Sequence, residues 1–387
     1  MGTAYTNTMS GKSKNEVGSA KVGARRSRVR QLAWRLPPLS WVLSAGRPLP
    51  VDAPSRILVA SACSEALILA KSFPAAEVVV IDPTEKSVRS LRLSALRRRL
   101  QNVTTETALL DQPALAELTG RNFDLILVLD YVPQNLEAVF ENLAACAKRQ
   151  GSTLFIKVPS ASHPLLRLPE ILPAFGLDME DLTEAESNSQ PLLPLISALG
   201  GDEGPGTTIM PAVPLKTWMS EARACGFHYA ASLHTPPVLS RALSMGGTEA
   251  LLSYGRESLA VLLDLIARPA SCQLVFSTTP CAEPPWRDPE ALGTFRPIVQ
   301  FWPRASLPKQ EAPFNRVMSV DIQIQKVLPP LKMQLSSYML ELLRNSDGTR
   351  TLRDLMADIP HEVQVAELAP ALYFFFHASI LNLFPPE

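Results

Sequence analysis

The sequence predicts an α/β protein built on a doubly wound, mostly parallel sheet, with a small, mainly helical module at the C-terminal end. Three observations carry this. Between about residues 51 and 160, apolar strand-like runs alternate five times with helix-like segments. The runs are apolar throughout, as in strands buried on both faces beneath covering helices. A Pro-rich stretch then separates this region from a final helical one. Right-handed crossovers wind such an alternating unit into a doubly wound sheet.

The elements follow in order. "RILVA" at 56–60 is a short buried-strand run, and "EALILAKSF" continues with helical spacing. "EVVVID" is a second apolar strand. Thr84 then caps a helix with Val88, Leu91 and Ala95 on one face. Arg89, Arg92, Arg97, Arg98 and Arg99 fall mainly on its other side, either as a solvated face or as a binding surface. "NVTTETA" is a weaker third strand, followed by the short helix "QPALAELT". "FDLILVLDYV" is a strong fourth strand, "NLEAVFENLAACAKR" an amphipathic helix and "GSTLFIKVP" a fifth strand.

Residues 161–205 are rich in Leu, Pro and acids and read as an acidic lid or acceptor-side insertion, whose Asp178, Glu180, Asp181, Glu184 and Glu186 either attract a basic acceptor or form a solvated acidic loop. "PLKTWMSEARACGFHYAASLH" reads as a helix ending at Gly226 and a late strand of the same sheet. One or two helices follow in "GTEALLSYGRESLAVLLDLIARP", then the closing strand "SCQLVFSTTP". Pro280 to Pro313 holds eight prolines and reads as a linker carrying one strand, "RPIVQFWP". Beyond about 325, Leu331, Leu335, Tyr338 and Leu342 recur at helical spacing, and "SDGTRTLRDLMADI" gives a turn and a second helix. The predicted organisation is a flexible basic tail at 1–35, a sheet domain at 36–280 with its insertion at about 161–205, a Pro-rich linker at 281–324 and a helical module at 325–387.

Composition narrows the function. The net charge is zero, so no global field draws the chain to nucleic acid or to an anionic membrane. Five scattered cysteines form no zinc-type pair and suit a reducing compartment, and five scattered histidines give no metal site. No apolar run is long enough to span a bilayer, so a cytoplasmic location is expected. The first 35 residues hold eight Lys or Arg against Glu16 alone, which reads as a basic tail, an organelle transit peptide or a partner arm.

In a doubly wound sheet, ligands bind outside the carboxyl ends of the strands, near the point where strand order reverses. Candidates there are Ala60, Ser61, Ala62 and Cys63 after the first strand, Asp82 and Pro83 after the second, Asp111 after the third, and Asp130 and Tyr131 after the fourth. An acid at Asp82 can accept hydrogen bonds from a ribose, or can cap the next helix. Cys63, beside a helix start, is a conceivable nucleophile but also a simple buried thiol.

With these parts the sequence resembles the class I S-adenosylmethionine-dependent methyltransferases over about residues 50–240. "VVVIDPTEKSV" is similar to the family's second motif and implies ribose binding by Asp82; "LLDQ" stands where its adenine-side acid lies, here Asp111. "FDLILVLDYV" is similar to its fourth motif, and "PLKTWMSEARACGF" to its late helix. The layout is most similar to bacterial protein-lysine methyltransferase-like proteins with a C-terminal winged-helix-like module, whose turn matches Asp347-Gly348-Thr349-Arg350-Thr351-Leu352 here. The departure is the first motif. Ser61, Cys63 and Glu65 occupy its three glycine positions, and no glycine occurs between Gly46 and Gly120. Side chains there threaten left-handed strain, and Glu65 threatens repulsion of the cofactor's carboxylate.

The resemblance implies a Rossmann-like methyltransferase fold, S-adenosylmethionine as cofactor, no metal, and methyl transfer to a protein or other macromolecular acceptor. The alternative is a catalytically inactive scaffold or recognition subunit that has lost the cofactor site. No general base is identifiable. The partner is a protein acceptor or partner subunit, and the apolar, base-poor final segment "ELAPALYFFFHASILNLFPPE" gives nucleic acid little support.

Overall fold

The computed structural model describes Val42 and residues 53–61, 63–112, 115–120, 122–129, 135–159, 213–232, 239, 251–267, 271–280, 283–299, 317–322, 331–359, 364–378 and 380–386. Its centre is a seven-stranded, mostly parallel, Rossmann-like sheet. In chain order the sheet strands are β1 (Arg56–Ala60), β2 (Glu77–Asp82), β3 (Val103–Thr107), β4 (Leu125–Leu129), β5 (Thr153–Pro159), β6 (His228–Ser232) and β7 (Ser271–Ser277). Their spatial order is β3-β2-β1-β4-β5-β7-β6. Pairs from β3 across to β5 are parallel, while β7 runs antiparallel between β5 and β6.

The intervening helices are α1 (Ser64–Ser72), α2 (Glu85–Arg97), α3 (Leu115–Thr119), α4 (Leu136–Cys146), α5 (Leu215–Ala224) and α6 (Arg256–Ala267). Period-two alternation splits each strand between two cores. Leu58, Val79, Ile126, Val128, Leu154 and Ile156 face one core with Phe140 of α4 and Trp218 of α5. Ile57, Val59, Val80, Leu125, Leu127 and Phe155 face the other with Leu67 of α1 and Leu91 of α2. Both faces of the central strands are therefore buried, which is why β1 and β4 carry no polar residue after their first.

The amino ends of the strands are tied together. Asp124 accepts from Ser55 N–H (2.8 Å), Ser55 Oγ (2.7 Å), Arg56 N–H (3.0 Å) and the Lys148 ammonium. Burial pushes this carboxyl up, but those donors outweigh it and hold it below the ordinary aspartate range.

The C-terminal part comprises α7 (Pro289–Leu292), β8 (Arg296–Val299), β9 (Val317–Ile322), β10 (Leu331–Ser336), α8 (Ser337–Asn345), α9 (Leu352–Ala357), α10 (Val365–His377) and β11 (Leu381–Phe384). β8 pairs antiparallel with β11, so the strand expected in the Pro-rich stretch joins the last strand of the chain. Trp286, Leu292, Phe295 and Val299 share a core with α8, α9 and α10. Residues 331–336 differ from the helical reading. They form β10 against β9, and the helix begins only at Ser337. Leu331, Met333 and Leu335 alternate with Lys332, Gln334 and Ser336, a strand period that the i, i+4 spacing of Leu331 and Leu335 conceals.

The "DGTRTL" turn is fully bonded within the protein. Asp347 Oδ1 accepts from Thr349 N–H at 3.0 Å and Thr349 Oγ1 at 2.5 Å. Gly348 N–H donates to Pro297 O at 2.9 Å, and its φ of +81° with Ile298 packed over it requires glycine. Thr351 and Asp354 then form a reciprocal capping box at the start of α9.

Candidate functional site

The strand order reverses between β1 and β4, because β1 is followed on one side by β2 and on the other by β4. The carboxyl ends there are in register: Ala60 lies opposite both Ile81 and Val128, and Asp82 opposite Thr107. Ser61 follows Ala60, and Asp82 follows Ile81, the partner of Ala60, so both stand at neighbouring strand ends. Register thus places a small polar residue and a carboxylate at neighbouring strand ends by the reversal point.

Ser61 is partly exposed and Ala60 is buried. The chain turns sharply here, with Cys63 N–H donating to Ser61 O at 2.8 Å. The turn does not carry the expected strain at the described positions. Cys63 is extended, with φ −107° and ψ 165°. Among the described residues, Arg99 and Asn122 are the non-glycine residues with positive φ, and Ser61 is not one of them.

Two side chains of this turn point to packing. Cys63 is buried; burial, then the neighbouring Glu65 charge, pushes its thiol up to about 12. It is a protonated thiol at neutral pH and no nucleophile. Glu65 is completely buried in the first turn of α1, with Oε2 accepting from Ser64 Oγ at 3.2 Å. The sequence could not reveal that burial, since a Glu in a first helical turn is ordinarily a solvated partner of the helix dipole.

Asp82 is half-buried, and its Oδ1 accepts from Thr84 N–H at 2.8 Å. That bond closes a tight turn into α2 and fixes the carboxylate at the strand end; Thr84 stands at the N-cap position, but its side chain makes no capping hydrogen bond. Pro83 is exposed. Asp111 is partly exposed in the turn after β3, a turn tied to α4 by Asn142 Nδ2, which donates to Leu110 O at 2.9 Å and Gln112 O at 3.0 Å. Ala62, Asp130, Tyr131 and the acidic stretch at 161–205 lie outside the described residues, as does the basic tail.

A second polar cluster, absent from the sequence reading, lies away from the crevice where β6 and α6 meet α10. Arg256 Nη1 donates to Ala230 O at 2.7 Å, and its guanidinium stacks 4.0 Å over Phe376. Glu283 faces it at 3.7 Å and accepts from Trp286 Nε1 at 3.0 Å. Burial raises the Glu283 carboxyl, with Arg256 opposing, and burial followed by the Arg256 charge holds His377 well below the ordinary histidine range. Tyr373 O–H donates to Tyr254 O at 3.1 Å beside them. With so little open space, this cluster is a joint between sheet and C-terminal part. No sequence signal singles it out, because its members come from segments 27 and 94 residues apart in the chain, as the numbers of Arg256, Glu283 and His377 show.

Among the described residues no group of His, Cys, Asp and Glu is arranged to hold a metal ion, and no helix is long and apolar enough to cross a membrane. No protein-family model matches the chain, and no curated protein does. Solved structures that it resembles include PKMT2 from Rickettsia typhi, 11% identical over 92% of this chain and 74% of that one, TM-score 0.48. The same protein in complex with AdoHcy gives 11% identity over 91% and 76%, TM-score 0.49. Magnesium protoporphyrin IX methyltransferase (ChlM) from Synechocystis PCC 6803 with bound SAH gives 16% over 58% and 74%, TM-score 0.32.

Proposed function

We propose that the chain is an S-adenosylmethionine-dependent methyltransferase-like protein that transfers a methyl group to a protein or other macromolecular acceptor. The observation that carries this is the position of Ser61 and Asp82 at neighbouring strand ends by the reversal point of a doubly wound sheet. Ligands of such sheets lie outside that point. The motif resemblance around "VVVIDPTEKSV" supplies the identity of the ligand.

The residues present fit the cofactor. Asp82, fixed by Thr84 N–H, offers a carboxylate to the hydroxyls of a ribose. Ala60 and Ser61 are small enough for the ligand to approach the backbone, and the described part of the turn takes this shape without left-handed strain. Glu65 is fully buried in the first turn of α1, so its side chain is not exposed to a ligand at the strand ends. Asp111 stands on the adenine side of the resemblance. When bound, S-adenosylmethionine supplies a methyl group activated by its sulfonium. The protein's part is to align that methyl with the acceptor and to exclude water.

Titration calorimetry on the full chain tests the proposal. Micromolar binding of S-adenosylmethionine is expected, together with a loss of about tenfold or more in Asp82→Ala, the scale of a hydrogen bond to a charged group. Millimolar or absent binding removes the enzyme reading and leaves the scaffold alternative. Equal affinity in Asp82→Ala removes the assignment of Asp82.

A further inference from the structure

We propose that the outward face of α2 is a docking surface for an anionic lipid bilayer. The inner stripe of this helix is fully used: Val88, Leu91 and Ala95 are buried against the sheet, and Arg92 donates from Nε to Thr105 Oγ1 at 3.0 Å and from Nη2 to Thr105 O at 3.1 Å. The outer face carries a second stripe. Lys86, Arg89, Leu93, Leu96 and Arg97 follow helical spacing on one arc, and Arg98 and Arg99 add charge at the helix end. All of them are exposed. None of the five cations has an ion-pair or hydrogen-bond partner through its side chain among the described residues. Between Glu85 and Arg99, six cations stand against the single acid Glu85, on a chain whose net charge is zero.

Leu93 is 47% exposed and Leu96 66%, in the middle of this basic arc. Leucines flanked by arginines decide the kind of partner. A nucleic acid gains from the cations but nothing from the leucines, and α2 has no exposed aromatic ring on which bases stack. An anionic bilayer uses both: guanidinium groups pair with headgroup phosphates, and the leucines enter the acyl boundary between them. With its inner stripe held on the sheet, α2 presents this arc over a length of about 20 Å. The basic first 35 residues, with eight cations against one acid, add attraction of the same sign. Membrane association of this kind takes two such signals. The proposal stands apart from the cofactor reading and does not depend on it.

Flotation of the full-length protein with vesicles tests it. Phosphatidylcholine vesicles are expected to leave the protein unbound, and phosphatidylcholine–phosphatidylserine vesicles to carry it upward. Arg89→Glu with Arg97→Glu lowers the partition coefficient about tenfold or more. Leu93→Ser with Leu96→Ser lowers it by a similar factor. All four positions are exposed, so thermal melts of both double variants should match the parent. The proposal is overturned if the parent does not float with anionic vesicles. It is also overturned if the arginine variant floats as well as the parent, which assigns binding to the tail. Undiminished binding by the leucine variant, or binding to poly(U) RNA in place of vesicles, equally rejects a bilayer as the occupant.

Discussion

Two short turns of this protein invite comparison: Ser61–Glu65 at the reversal point of the sheet and Asp347–Leu352 in the C-terminal part. The second is the more distinctive in sequence, yet its polar groups are consumed within the fold. Asp347 binds Thr349, Thr351 and Asp354 cap each other, and Arg350 reaches Asp354 O at 2.7 Å and Asp358 at 2.5 Å. Its glycine is fixed by a φ of +81° under Ile298. The first turn looks degenerate, yet Ser61 stays partly exposed at a strand end neighbouring that of Asp82. A conspicuous motif can thus be bonded mainly to itself, while an inconspicuous one stands at the reversal point of the sheet.

Titration sharpens the contrast. The Cys63 thiol of the first turn is pushed up to about 12 from 9.0, by burial first and Glu65 second. In native protein at neutral pH, alkylation of Cys63 by iodoacetamide should be about a hundredfold or more slower than in the denatured chain. Mass spectrometry of the labelled peptide over time reads this directly. Fast native labelling would show an open, functional thiol and would break the division between the two turns.

The next largest effect lies in the second turn. Gly348→Ala places a Cβ at 2.8 Å from Ile298 Cδ1 at a left-handed φ. Strain and overpacking together should cost about 3 kcal/mol of stability in denaturant titration. A neutral outcome would mean that the turn is free to move off β8.

Much of this fold was legible because local pattern and buried state agree. β1, β2, β4 and β5 read as strands since both their faces lie in cores. The register that sets Ser61 and Asp82 at neighbouring strand ends follows once that order is known. Non-local choices were not legible. Nothing in "SCQLVFSTTP" says that β7 inserts antiparallel between β5 and β6, nor does "RPIVQFWP" announce β11 as its partner. At the site, the residue types of Cys63 and Glu65 suggested reactivity and repulsion. Burial holds the thiol protonated and takes Glu65 off the surface while its charge still acts on Cys63, and neither burial can be read from the local sequence.

A smaller effect comes from the cap of α9. Thr351→Ala removes one half of a capping box and should cost about 1 kcal/mol at neutral pH. Hydrogen bonds from Thr351 lower the Asp354 carboxyl below its ordinary 3.8. A depressed carboxyl adds stability that is full above the unfolded value and is lost as pH falls through the folded one. The gap between parent and variant should therefore hold above about pH 5 and narrow below 3.8, as chemical denaturation across pH will show. A constant gap would assign the cap to the Thr351 hydroxyl without its acid partner.

The smallest effect returns to the first turn and asks what a glycine at Ser61 would change. Since Ser61 is not held at positive φ, Ser61→Gly should not relieve strain. It should add freedom to the unfolded chain and lower stability by roughly 0.5–1 kcal/mol. A stabilised variant would place Ser61 in the left-handed region after all. The same protein titrated with S-adenosylmethionine separates strain from space. Unchanged affinity means that the serine already allows the approach, and a marked gain means that its side chain stands in the ligand's way.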